Sequence, residues 1–241
     1  MPPLTFASVF ALSIVGAVTQ AVCGFGYGPV TMSLMPYLLP YFQAVAISGL
    51  SGSTAAFIVV MSGYRHINWK LLFPCEITAL PAGALAAYIS ARAPNSTMVH
   101  CLGLMMIALG VYSIFFTGKI HIRGTTRNGM IAGLLAGLSS GFFAVGGPPI
   151  AIYMIEAAKD NNEYRATLNM HFCFMTLMTT GTRWYNGAFT PPIIRMYLMI
   201  LVTLFIGAWL GNKIFHKLDA KKLRLIVYSY LIISGIMMLF R

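Results

Sequence analysis

Two stretches of this chain break long apolar runs with glycine and then supply proline. They are Cys23-Gly24-Phe25-Gly26-Tyr27-Gly28-Pro29 and Ala144-Val145-Gly146-Gly147-Pro148-Pro149. Glycine loses the most backbone freedom on ordering, so three within five residues weaken a helix. Proline is tolerated at the first helical position, where its missing N–H has no partner to lose. Each stretch therefore predicts a break followed by a fresh short helix, beginning at Pro29 and at Pro149. A helix N-terminus carries unpaired N–H groups and partial positive charge. Two such termini facing one another form an anion site that needs no buried lysine. The competing reading is packing, because small residues let membrane helices touch.

On the anion reading, the backbone candidates are Gly24, Phe25, Gly26, Gly28 and Pro29 from the first break and Gly146, Gly147 and Pro148 from the second. The runs that follow add polar atoms. Ser48 and Thr167 fall at matching depth, and Asn169 carries an amide that can donate to an oxyanion. Ser and Thr also bond their own helix carbonyls, so a structural role competes for them.

Four ionisable residues lie in or at the edge of apolar runs. Glu76 sits about a turn inside its segment, where a carboxylate is costly and usually functional; placement at the interface near Lys70 is the alternative. His171 lies deeper. A satisfied core histidine is the plain reading, and an unperturbed pKa near 6.5 suits it to proton coupling. Glu76 and His171 are therefore the coupling candidates. Arg165 and Arg183 fall at the two ends of one run; either can attract anions, and topology alone accounts for both.

The elements that must position these residues are transmembrane. Of 241 residues, 58% are hydrophobic and only 9% charged, against about 25% charged in soluble domains. The net charge of +11 sits almost wholly between apolar runs. That pattern reads as topology rather than as a nucleic-acid surface, and no nucleic-acid partner is expected. The lipid bilayer and a small anionic substrate are the expected partners, with room for a homo-oligomer. Cys23, Cys75, Cys101 and Cys173 form no C-x-x-C pair and read as small buried side chains. No metal and no cofactor are expected. A membrane-embedded enzyme would need clustered acids, histidines or cysteines, and five acidic residues, mostly in loops, do not supply them. No catalytic residue is assigned.

Apolar runs are predicted at Leu4–Cys23, Pro29–Tyr41, Ala44–Gly63, Leu71–Ser90, Met98–Thr117, Asn128–Ala144, Pro149–Ala158, Ala166–Thr182, Ile193–Gly211 and Leu223–Phe240. Asp160 and Glu163 are spaced for a capping box. The halves repeat. At an offset of 119, Gly28 and Pro29 fall on Gly147 and Pro148, and Ser48 on Thr167. At 124, Gly83-Ala84 falls on Gly207-Ala208. If each break returns the chain to the face it left, twelve of the sixteen Lys and Arg lie on one face; only Arg92, Arg183, Arg195 and Arg241 lie on the other. If each break is crossed once, the split is eight and eight. The positive-inside tendency favours the first scheme. It puts both termini outside and inverts one half relative to the other, a design that recurs in secondary transporters.

The expected fold is an all-α membrane protein, one transporter domain over 1–241. It has inverted-topology repeats at 4–117 and 128–240. About eight membrane-embedded segments are expected, the second and sixth short and following the glycine breaks. The location expected is the cell membrane, a bacterial inner membrane.

Gly24–Pro29, Ser48 and the Gly63–Trp69 loop resemble the first half of the sulfite exporter TauE/SafE family. Gly146-Gly147-Pro148-Pro149, Arg165-Ala166-Thr167 and Gly207-Ala208-Trp209-Leu210-Gly211 resemble its second half. The resemblance covers nearly the whole chain. It implies a multi-pass transporter that exports sulfite, sulfoacetate or another organosulfonate by alternating access. A non-catalytic subunit or assembly factor of a membrane complex is the alternative.

Overall fold

The computed structural model describes residues 3–116, 124–215 and 220–240. Eleven α-helices and one 3-10 turn follow in order: α1 (Pro3–Cys23), α2 (Tyr27–Met32), α3 (Met35–Leu38), α4 (Tyr41–Gly63), the turn Tyr64–His66, α5 (Trp69–Ser90), α6 (Asn95–Phe116), α7 (Thr126–Phe143), α8 (Gly147–Ala157), α9 (Asn161–Tyr185), α10 (Pro191–Phe215) and α11 (Ala220–Leu239). Eight of these are long, and two short interruptions, α2–α3 and α8, stand between them. Counting α2–α3 as one gives ten segments with the second and seventh short, not eight with the second and sixth. The expected eight matches the long helices alone.

Among the described residues four stretches are long and apolar enough to cross a membrane: Tyr41–His66, Trp69–Ser90, Asn95–Phe115 and Pro191–Gly211. Polarity is distributed inside out. Leu104, Phe115, Leu177, Phe205, Ile226 and Met237 are exposed, while Gln20, Ser48, Asn169, His171 and Arg183 are buried. Water rewards the reverse arrangement; hydrocarbon rewards this one.

Glycine sets the helix contacts, because it lets one backbone reach another. Cβ atoms added at Gly133, Gly137 and Gly141 of α7 would stand 2.1, 2.4 and 2.4 Å from the carbonyls of Cys75, Ala79 and Gly83 on α5. Both sets of numbers rise together, so α5 and α7 are parallel. Gly207 and Gly211 of α10 lie against the Ile14 and Val18 carbonyls of α1 in the same sense. Helix α4 runs antiparallel to α9, with Gly49 beside Thr176 and Arg183 and Gly63 beside Ala166. Helix α6 runs antiparallel to α11, with Gly103 at Gly235 and Gly110 at Tyr228.

Each short helix doubles back. The Tyr27 hydroxyl donates to Ser13 at 3.1 Å, and Gly16 lies against Tyr27 and Thr31, so α2 returns along α1. Gly146 packs on Ser140, and the Tyr153 hydroxyl donates to the Thr125 carbonyl at 3.4 Å. Helix α8 thus returns along α7. Helix α9 begins at Asn161, five residues before the apolar run, because Asp160 accepts from the N–H groups of Asn162 (2.8 Å) and Glu163 (2.9 Å). The capping box is only half formed. Glu163 turns its carboxylate to the Asn68 amide at 2.7 Å instead of back to its own helix start.

The charge count also rested on Lys119, Arg123, Lys217 and Arg241, which lie outside the described residues.

Candidate functional site between the two breaks

The first break keeps its expected place but starts its helix two residues early. Gly24 and Gly26 adopt φ of +82° and +127°, values a side chain rarely tolerates. Helix α2 then opens at Tyr27, with Pro29 at its third position rather than its first. The second break turns at Ala144, φ +55°, and α8 opens at Gly147. Pro148 and Pro149 occupy its second and third positions. Every position of the first turn lacks an intrahelical acceptor for its N–H, so proline fits throughout it.

The two breaks touch. A Cβ on Gly28 would stand 2.0 Å from the Ala144 carbonyl oxygen, and one on Gly147 would stand 3.0 Å from the Phe25 Cβ. Between them lies a cavity of about 50 Å³, room for a few waters by the measure of roughly 10–15 Å³ each. Of the candidates read from the sequence, Gly26, Gly28, Pro29, Ser48, Gly146 and Gly147 line it.

The remaining candidates lie outside its wall. The Asn169 amide donates to the Gly24 carbonyl at 3.1 Å and to the Arg165 carbonyl at 2.8 Å. Its oxygen accepts from Gln20 Nε2 at 3.0 Å, and Gln20 Oε1 accepts from the Tyr27 N–H at 3.2 Å. Asn169 thus holds the first break in shape rather than facing a ligand. The Thr167 hydroxyl accepts from the Asn68 N–H at 2.9 Å, at the start of α5. Phe25 stacks on Tyr228 at 6.1 Å, and Pro148 is buried in α8.

The helix termini supply fewer donors than the sequence suggested. Pro29, Pro148 and Pro149 have no N–H, and the Tyr27 N–H is taken by Gln20. At six residues, α2 also carries little dipole.

A side chain that topology alone could account for supplies the charge. Arg183 sits in the last turn of α9 with 1% of its surface exposed. Its Nη2 donates to the carbonyls of Ser140 (2.8 Å) and Gly141 (3.0 Å), and its Nη1 donates to Thr179 Oγ1 at 3.3 Å. Those carbonyls belong to the last turn of α7, whose partial negative charge holds the guanidinium there. A guanidinium has five N–H donors, so these bonds leave two; Nε is buried without a partner. Among the described residues no carboxylate pairs with it. The signal was in the sequence: Phe172, Met175, Thr176, Thr179 and Arg183 form one helical stripe, and all five line the cavity. Gln20, which was not among the candidates, lines it from α1.

Glu76 and His171 meet. Oε1 of Glu76 lies 2.6 Å from Nδ1 of His171, and both residues are buried. Among the described residues no group of three or more His, Cys, Asp or Glu is placed to hold a metal.

These features define a class: a multi-pass α-helical membrane protein with a small cavity, reached by a buried arginine, where two chain breaks meet. The family model for the sulfite exporter TauE/SafE matches residues 9–238. The chain belongs to that family, whose members are membrane transporters and not enzymes. It is 24% identical over 260 residues to a probable membrane transporter protein of Methanocaldococcus jannaschii, covering 98% of this chain and 95% of that one. It is 22% identical over 230 residues to the probable sulfite/organosulfonate exporter TauE of Cupriavidus necator, covering 93% and 90%. No solved structure gives a significant match.

Proposed function

We propose that this protein is a secondary transporter that exports a small oxyanion, such as sulfite, sulfoacetate or another organosulfonate, across the cell membrane. The anion sits between the two breaks, with Arg183 as its principal counter-charge. The observation that carries this reading is Arg183: a buried guanidinium with unused donors that lines the cavity between the breaks, with no carboxylate paired to it among the described residues. A buried cation with no counter-ion is costly, and an anion in the cavity offsets that cost. The dipoles of the break helices add to the site but do not carry it.

Helix directions support alternating access between inverted repeats. Helices α1, α4 and α10 share one direction, and α5, α7 and α9 share the opposite one; α6 opposes α11. Each helix of 4–117 therefore runs against its counterpart in 128–240, and each break returns the chain to the side it came from. That is the topology favoured by the loop charges, with both termini outside. Discontinuous helices meeting near the midplane are where such transporters bind substrate.

The test is binding and flux on purified protein. Sulfite, sulfate, ethanesulfonate and acetate are screened for thermal stabilisation, then for flux in proteoliposomes. At least one sulfur oxyanion is expected to stabilise the wild type. Arg183→Gln is expected to weaken that binding by at least roughly thirtyfold, the lower end (about 2 kcal/mol) for losing one partner of a buried charge pair. Undiminished binding in Arg183→Gln overturns the site.

A further inference from the structure

We infer that Glu76 and His171 form a proton-binding pair linked to the anion cavity, so that protonation of the pair and occupancy of the cavity favour each other. The inference rests on the anion-site reading above. The pair bridges α5 and α9, with Oε1 to Nδ1 at 2.6 Å. Its outer atoms, Glu76 Oε2 and His171 Nε2, are buried without partners. A pair built only to tie two helices would satisfy those atoms or avoid charge. The α4–α10 seam does the latter, joining Thr54 and Tyr197 through neutral hydroxyls at 2.8 Å.

The pair has a short route to the cavity. His171 precedes Met175 by one helical turn and packs edge-on against Phe172 at 5.7 Å; both Met175 and Phe172 line the cavity. Few other ionisable groups face it. Cys75 precedes Glu76 on α5, and Tyr153 of α8 faces Cys75. Helix α7 meets α5 there through Gly133 and Gly137, which carry no charge. On α9 the neighbouring thiol is Cys173, and Arg183 stands three turns on.

The sign follows from charge. Carboxylate with neutral imidazole carries −1; one added proton makes the pair neutral and leaves it no longer repelling an anion at Arg183. Histidine as a residue type changes charge between about pH 5 and 8, which sets the range of the test. Linkage is reciprocal, so an anion that binds more tightly when the pair is protonated must also draw a proton onto it.

The probe is ethanesulfonate, which stays ionised throughout that range, with sulfate as a second. Calorimetry at pH 6 and pH 8, in buffers of different ionisation enthalpy, gives affinity and protons exchanged together. The wild type is expected to bind roughly five- to 100-fold more tightly at pH 6 and to take up protons on binding. Glu76→Gln and His171→Gln, each checked for a cooperative melt, are expected to bind with little pH dependence and no uptake. Binding without proton uptake in the wild type, or uptake that survives in a folded His171→Gln protein, overturns the inference and leaves the anion site standing. Binding of neither anion at either pH overturns the anion site and the linkage together.

Discussion

The carbonyl of Ala144 fills the space that a side chain on Gly28 would need, 2.0 Å from an ideal Cβ. The closest approach of the two breaks is therefore backbone to backbone. Gly28→Ala cannot be absorbed by turning a side chain, so α2 or the Ala144 turn must move. Overpacking of this kind costs about 1–3 kcal/mol. The melting temperature is expected to fall and anion binding to weaken; an unchanged melt with full binding would show that the breaks are not held this close.

Gly49 on α4 is small for a different neighbour. A Cβ there would lie 2.8 Å from Arg183 Nη1. Gly49→Val is expected to push the guanidinium from its present bonds and lower anion affinity by roughly tenfold or more, on the scale of about 1–3 kcal/mol for overpacking. Because the obstacle is a flexible side-chain end, the melting temperature should fall less than in Gly28→Ala. Titration of both variants with sulfate or sulfite checks the contrast.

Asn169 offers a test of shape against contact. Replacing it with Leu keeps its bulk but leaves the Gly24 carbonyl and the Gln20 amide without their partners. Each buried orphan costs about 1–3 kcal/mol. Asn169→Leu should therefore lower the melting temperature even with no anion present. A residue that acted only as a ligand would leave the anion-free melt unchanged.

Asp160 tests the start of α9 from outside the membrane. Its carboxyl titrates below the ordinary aspartate range, first because its oxygen accepts the Glu163 N–H and then that of Asn162. A depressed folded-state pKa means that the ionised cap stabilises the fold above the unfolded pKa. That stabilisation is lost as pH falls through the folded value. Asp160→Ala should thus melt below the wild type at pH 7, and the gap should close in acid. A gap that persists at low pH would assign the cap's effect to something other than its charge.

Much of the fold was legible in the sequence, because hydrocarbon demands long uninterrupted apolar runs and loops collect the charge. Leu71–Ser90 became Trp69–Ser90, and Ile193–Gly211 became Pro191–Phe215. Both breaks were legible too, since glycine and proline act on the backbone they occupy. The site was legible only where it is local. Gly26, Gly28, Gly146 and Gly147 line the cavity, but Arg183 was put down to topology: what buries it is the last turn of α7, some forty residues away. Thr167 and Asn169 were read as ligand contacts, yet Asn68 and Gly24 had already claimed their polar atoms. The pairing of Glu76 with His171 needed the α5–α9 seam, which neither helix announces alone.

The packing of α1 on α10, and of α7 on α5, bears on how the molecule is made. During synthesis α1 enters the bilayer long before residues 191–215, its glycine-bearing partner, emerge. Until then the Ile14 and Val18 backbone contacts stay unfilled, and α1 has only α2 and α4 of its own half beside it. Neither half can complete its own interior, so truncation after residue 117 leaves a membrane-inserted chain without a finished fold. Assembly of this transporter is a late event that closes across the whole length of the polypeptide.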